Sequence, residues 1–279
     1  MIRRLWLGLL ALLVVACGAP APGPSLAVGT TADPETTLLA NVYAAALRSY
    51  GTAAHVETVD DPLAALDSGA VSVVPGFTGR LLQRFAGGSS ARSDAGVYHA
   101  MVGVLPEGVG AGDYATAAED KPALTVTDAT AKAWGSRDLT ALVSRCAGLS
   151  VGAVVGAREL PTSVGTCTLP AVRQFPTESA MFDALRSGAI TAGWTGTADT
   201  GVPAELVVLA DRKPALIQAE NVVPLYRRNE LAPSQIRAIN EVAGVLDTAA
   251  LIDMRQQVAT GADPRSVAER WLGAHPLGR

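Results

Sequence analysis

Ala65-Leu66-Asp67-Ser68-Gly69-Ala70-Val71-Ser72 and Ala184-Leu185-Arg186-Ser187-Gly188-Ala189-Ile190-Thr191 are two versions of one segment, 119 residues apart at every position. Only the third position differs in character. Each version ends an amphipathic helix on a Ser-Gly stop, where glycine can take the left-handed conformation that closes a helix, and then enters a short apolar strand. Each strand runs into a turn rich in glycine and threonine: Pro75-Gly76-Phe77-Thr78-Gly79 in one, Trp194-Thr195-Gly196-Thr197 in the other. Chance similarity of two α/β connectors is the plain alternative. The length of the match instead predicts an α/β protein with two similarly built lobes. Ligands of open α/β sheets sit at strand ends, so matching turns at two sets of strand ends predict a cleft between the lobes.

The surrounding sequence fits that plan. Leu26-Ala27-Val28-Gly29 reads as a strand, Asp33 as a helix N-cap and Pro34 as the first helical residue. Leu38, Leu39, Val42, Tyr43, Ala46 and Leu47 follow at helical spacing, up to Tyr50-Gly51. A strand, a polar turn and a helix N-terminus can hold an anionic group, although ordinary α/β connections look the same. Further strands are expected at 123–127, 149–155 and 221–226, the last returning towards the first lobe. Helices are expected at 128–134 and 138–143, and three more in the tail, near Ser234, Thr248 and Asp263-Pro264. Asp60-Asp61 before Pro62 reads as a solvated helix cap. Asp120-Lys121-Pro122 and Asp211-Arg212-Lys213-Pro214 read as charged surface turns.

Composition narrows the function classes. With 279 residues, 49% hydrophobic and 17% charged, the chain is neither disordered nor a coiled coil, and it can build one large or two medium domains. A net charge of −4 without a Lys/Arg cluster argues against nucleic acid as a partner. His55, His99 and His275 are scattered, so no metal site and no cofactor are expected. The sequence holds no GxxxxGK(S/T), HExxH or GxGxxG motif. An enzyme is therefore not expected, and a hydrolase using the cleft is the only catalytic reading left.

The N-terminus reads as an address. Met1-Ile2-Arg3-Arg4 and the apolar run Leu5 to Ala16 make residues 1–16 a secretory signal, too short for a membrane span. Val14-Val15-Ala16-Cys17 looks like a lipobox, whose cleavage leaves Cys17 as a lipid-modified N-terminus; an ordinary signal peptide ending near a cysteine is the other reading. Residues 17–25 form a Pro-rich tether. Cys146 and Cys167 then remain, and an oxidising compartment favours a disulfide between them over two buried thiols.

Several blocks resemble, in order, the substrate-binding proteins of ABC importers for glycine betaine, choline and related osmoprotectants. The family's ALxxGxIDLYPEYTGTLL pattern is similar to Ala65 through Leu82. Its opening strand, turn and helix resemble Gly29-Thr30-Thr31, Pro34-Glu35-Thr36 and Val42-Tyr43-Ala44. Ala123 to Gly135, Asn221-Val222-Val223-Pro224 and Asp263-Pro264 through Leu272 are similar too. The resemblance implies a two-lobed, periplasmic-binding-protein-like (type II) fold with a hinge and an inter-lobe cleft. Lobe 1 would comprise 26–121 and 225–279, and lobe 2 would comprise 122–224. It implies a monomeric extracytoplasmic lipoprotein, anchored to the cell membrane through its lipid, that delivers a small polar, osmoprotectant-like solute to ABC permease subunits. A bilobed lipoprotein acting as a sensor or scaffold without a transported ligand is the alternative.

Carried over residue by residue, the resemblance places the ligand against Thr30, Thr31, Phe77, Thr78, Trp194 and Thr195. The family encloses a quaternary ammonium in a box of tyrosines, whose ring faces attract a cation. Here the aligned positions hold Phe77, Pro122 and, in the second repeat, Gly196. Trp194 lies two residues from Gly196 and so shares its strand face; it is either a box ring or a core tryptophan. Arg80 stands where the family has threonine, and either pairs with a ligand carboxylate or points to solvent.

Overall fold

A computed structural model describes residues 25–157 and 159–278. The signal peptide, Cys17 and the tether as far as residue 24 lie outside the described residues. The first stretch of chain forms β1 (Leu26–Thr30), α1 (Pro34–Ser49), β2 (Ala54–Thr58), α2 (Pro62–Ser68), β3 (Val73–Phe77), α3 (Thr78–Phe85), α4 (Asp94–Val102) and β4 (Val109–Ala111). The second forms β5 (Pro122–Thr127), α5 (Asp128–Trp134), α6 (Leu139–Val143), β6 (Val151–Val154), β7 (Ser163–Val164), β8 (Cys167–Thr168), β9 (Arg173–Phe175), α7 (Glu178–Arg186), β10 (Ala192–Gly196) and β11 (Leu206–Val208). The chain then returns through β12 (Val222–Arg227) and ends in α8 (Pro233–Val245), α9 (Thr248–Ala259) and α10 (Pro264–Ala274).

The two main sheets share one plan. The first runs β2-β1-β3-β12-β4 and the second β9-β6-β10-β5-β11. In each, the first three strands are mutually parallel and the last two alternate antiparallel. The repeat read from the sequence is the centre of this symmetry, because β3 and β10 start and stop 119 residues apart. Both preceding helices close alike. Gly69 and Gly188 adopt φ of 80° and 73°, and Ala70 and Ala189 donate to Ala65 and Ala184 carbonyls, each at 2.9 Å. That left-handed turn is why both copies need glycine at this place.

Asp33 caps α1 by accepting from the Thr36 N–H at 2.9 Å, with Pro34 in the first turn. From Leu38 to Leu47 every residue of α1 is buried, because the first sheet covers one side and the tail helices the other. Each leucine so buried stabilises by about 1.5–3 kcal/mol. The second lobe has its own core around Leu124, Leu142, Val151 and Trp194. Cys146 and Cys167 are joined beside it, with Cα atoms 5.4 Å apart.

The described chain passes between the lobes twice, at 119–122 and 219–222. The two crossings lie antiparallel, bridged at Glu119 and Asn221, and Asp120 donates its N–H to the Glu220 carbonyl at 3.0 Å. The return falls earlier than the sequence boundary at 225: Val222, Val223 and Pro224 already pair with Phe77, Gly76 and Pro75 in the first sheet. Those three apolar residues continue the buried run of β12, so they belong to lobe 1.

Candidate solute-binding cleft

The floor of the cleft is built twice from the same parts. Thr78 donates its N–H to the Asn221 carbonyl at 2.9 Å, and its hydroxyl accepts the Asn221 N–H at 3.1 Å. Thr197, 119 residues later, does the same with Lys121, at 3.0 and 3.1 Å. Each threonine thus clasps the crossing that meets its own strand. Beside each clasp a buried carboxylate takes up the next backbone donors. Glu220 accepts the Arg80 N–H at 2.9 Å and also that of Gly79, so it caps α3. Asp120 accepts the Ala198 N–H at 3.2 Å. The α3 cap requires glycine at 79, because a Cβ there would lie 2.6 Å from the Ala219 carbonyl oxygen.

Above this floor lies an ion cluster. Arg80 pairs through Nη1 with Glu35 Oε2 at 2.9 Å and through Nη2 with Asp120 Oδ2 at 3.1 Å, while its Cζ stands 4.0 Å from the centroid of the Phe77 ring. From α9, Arg255 approaches Glu35 Oε1 and Asp120 Oδ2, both at 3.3 Å, and donates to the Ala198 carbonyl at 2.8 Å. Asp120 is wholly buried. Burial, then the hydrogen bond and charge of Glu35, push its carboxyl up to about 7 against the pull of Arg255 and Arg80. Burial also acts most strongly on Glu35, but Arg80, the hydrogen bond with Asp120 and Arg255 together hold it below its ordinary value. Glu220 is pushed up to about 7, mainly by burial.

A cavity of about 590 Å³ opens between the lobes in front of this cluster. Arg80, Gln83, Arg84 and Arg92 line it from the first lobe, Thr162, Ser163 and Gln218 from the other side, and Pro122 and Glu220 at the crossings. That volume suits a small solute. Among the described residues no group of three or more His, Cys, Asp or Glu side chains is placed to hold a metal ion, and no helix is long and apolar enough to cross a membrane.

The six residues carried over from the resemblance are divided: Thr78 lies in the floor of the cleft and Phe77 against Arg80, and the other four lie elsewhere. None lines the 590 Å³ cavity. Thr30 is buried and donates to the Thr31 carbonyl at 3.1 Å. Thr31 is partly exposed and shares a hydrogen bond with the Thr36 hydroxyl at 2.9 Å, shaping the turn before α1. Phe77 is buried beneath Arg80, and Thr78 is the clasp described above. Trp194 packs into the second core, and Thr195 pairs with the Thr125 hydroxyl at 2.8 Å. In register, Phe77 and Thr78 correspond to Gly196 and Thr197, whereas Trp194 holds the place of Pro75. Trp194 and Phe77-Thr78 are therefore not equivalent strand-end residues.

Of the two segments expected as surface turns, Asp120-Lys121-Pro122 is inside, whereas in the other Arg212, Lys213 and Pro214 are exposed as expected and only the Asp211 side chain is covered. Asp120 is fully buried, and Lys121 bonds Asp211 at 3.3 Å and Glu119 at 3.4 Å from a side chain that is 8% exposed. Asp211 accepts the N–H groups of Leu216 and Ile217, so its charge organises the loop that leads back to the second crossing. Arg80 does not point to solvent: Glu35 and Asp120 hold it inside the cleft.

The sequence model of the family described as "substrate binding domain of ABC-type glycine betaine transport system" matches residues 24–274. The chain belongs to this family. Among solved structures, the fold is similar to a glycine betaine/carnitine/choline ABC transporter protein, with TM-score 0.71 and 15% identity over 90% of this chain and 98% of that one. It is likewise similar to apo YehZ from Escherichia coli, with TM-score 0.69 and 18% identity over 90% and 99% of the two chains. A choline-binding protein of an ABC transporter, solved with choline, gives TM-score 0.54 and 14% identity over 90% and 89%. No protein of curated function matches the sequence. The glycine betaine family is one of solute-binding transport proteins, and the twin-sheet architecture is the type II periplasmic-binding-protein fold.

Proposed function

We propose that this member of the glycine betaine family is an extracytoplasmic receptor that carries one small polar solute to the permease subunits of an ABC importer. It would work as a monomer held at the cell membrane by an acylated Cys17. The observation that carries the reading is the twinned floor. Two lobes of one plan meet over two hydrogen-bonded crossings, and crossings of that kind allow rotation that traps a solute between lobes. The cavity lining supports a polar solute, since Gln83, Thr162, Ser163 and Gln218 offer hydrogen-bonding groups around it.

A thermal-shift panel of small solutes tests the reading: betaines, choline, carnitine, amino acids, dicarboxylates and sugars. A true solute at about 100 times its dissociation constant stabilises the protein by about 2.7 kcal/mol. Uptake of that solute by cells lacking the chain should fall as well. A panel that stabilises nothing, with uptake of every member unchanged, would overturn the receptor reading.

A further inference from the structure

Arg80 lines the cleft cavity, yet the protein itself satisfies its charge. Glu35 lies 2.9 Å from one terminal nitrogen, Asp120 3.1 Å from the other, and the Phe77 ring centroid 4.0 Å from Cζ. An aromatic face flanked by carboxylates is chemistry that recognises an organic cation, whether ammonium or guanidinium. Here the seat and its occupant come from one chain. The seat cannot stand empty at low cost, because Glu35 is 16% exposed and Asp120 not at all, and buried carboxylates need cations beside them. Arg255 supplies one, from the α9 side, and Arg80 supplies the other. The α3 cap fixes the backbone of Arg80 through Glu220, so the side chain is delivered to the ring from a rigid base.

We infer that Arg80 is a tethered occupant of a cation seat formed by Phe77, Glu35 and Asp120, and that it sets the specificity of the cleft by excluding free organic cations. The solute left to the cavity is one without a free organic cation, in a lining that mixes Arg84, itself 3.7 Å from Asp61, and Arg92 with Glu159 and Glu220. This rests on the receptor reading only in taking the cleft as the solute site.

Arg80→Ala tests it by emptying the seat. The variant is expected to melt below the wild type. Guanidinium, tetramethylammonium or choline chloride at about 10 mM should raise its Tm by about 2–4 °C over sodium chloride of equal ionic strength. The wild type should not respond, and adding Phe77→Leu to the variant should abolish the gain. Arg80→Ser, which also leaves the ring face open, is a second form of the test. Folded Arg80 variants that gain nothing from any of the three cations would overturn the inference. So would wild-type protein that binds choline or tetramethylammonium saturably in calorimetry, which decides the matter even where neither variant folds. Failure of the receptor reading would show differently, as a wild type stabilised by no solute at all, and leaves the cation rescue to be read on its own.

Discussion

Thr78 and Asn221 hydrogen-bond each other twice, N–H to carbonyl at 2.9 Å and N–H to hydroxyl at 3.1 Å, and both residues are buried. The pairing joins the start of α3 to the second crossing, and Thr197 repeats it at the first. Thr78→Val keeps the shape but leaves the Asn221 N–H without its acceptor. A buried donor so stranded costs about 1–3 kcal/mol. Urea unfolding of Thr78→Val should show a loss of that size, with Thr197→Val behaving alike. An unchanged midpoint would mean that the hydroxyl contributes nothing to the clasp.

Trp194 is 4% exposed and packs among Leu124, Val151 and Ala192. Removing so large a side chain from a core costs about 3–5 kcal/mol through lost burial and the cavity left behind. Trp194→Ala is therefore expected to destabilise the second lobe strongly, seen as an early transition in chemical denaturation. Stability close to wild type, with solute binding lost, would instead put the ring in the cleft.

Asp120 and Glu220 give the protein a predictable response to pH. Both are pushed up to about 7, chiefly by burial. Between roughly pH 4.5 and 7 the folded protein thus binds more protons at these sites than the unfolded chain does, so their contribution to stability falls as pH rises through that window. Asp120→Asn cannot ionise and can still donate to Glu35. Thermal melts at fixed ionic strength should show the variant gaining on the wild type from about pH 5 to about pH 8. A Tm difference that stays constant over the range would contradict the shift.

How much of this was legible in the sequence follows from how local each cause is. The repeat at Ala65 and Ala184 gave away both lobes, because helix stop, glycine turn and apolar strand are adjacent residues whose demands can be read together. The caps at Asp33 and Asp263 were legible for the same reason. The ion cluster was not. Arg80 meets Glu35 and Asp120 from 45 and 40 positions away, and Arg255 arrives from the tail, so no spacing rule links them. Asp120-Lys121 looked solvated because charge beside proline usually is; only the tertiary partners Asp211, Arg80 and Arg255 make burial tolerable. Trp194 shows a further limit: strand alternation assigns a face, but it does not say which face meets the core.

Cys17 lies outside the described residues, and its lipidation is tested in cells. Stable anchoring takes more than one acyl chain, since a single chain binds only marginally. Cys17→Ala should move the protein from the membrane fraction to the soluble extracytoplasmic fraction. Unchanged fractionation would count against a lipid anchor.

The Cys146–Cys167 bridge should stabilise one lobe in particular. It links residues 21 apart, just beyond α6 and in β8, both at the edge of the second core. Closing a loop of this length is worth about 3 kcal/mol in the chain-entropy model. The first lobe holds no part of the bridge and keeps its core between the sheet and the tail helices. Reduction, or Cys146→Ser with Cys167→Ser, should therefore split one unfolding transition into two, with the second lobe melting first. Hydrogen exchange would locate the loss: amides of β6, β8 and β10 should exchange faster while those of α1 keep their protection. Equal loss of protection in both lobes would mean that they unfold as one unit, and that the bridge stabilises the whole chain.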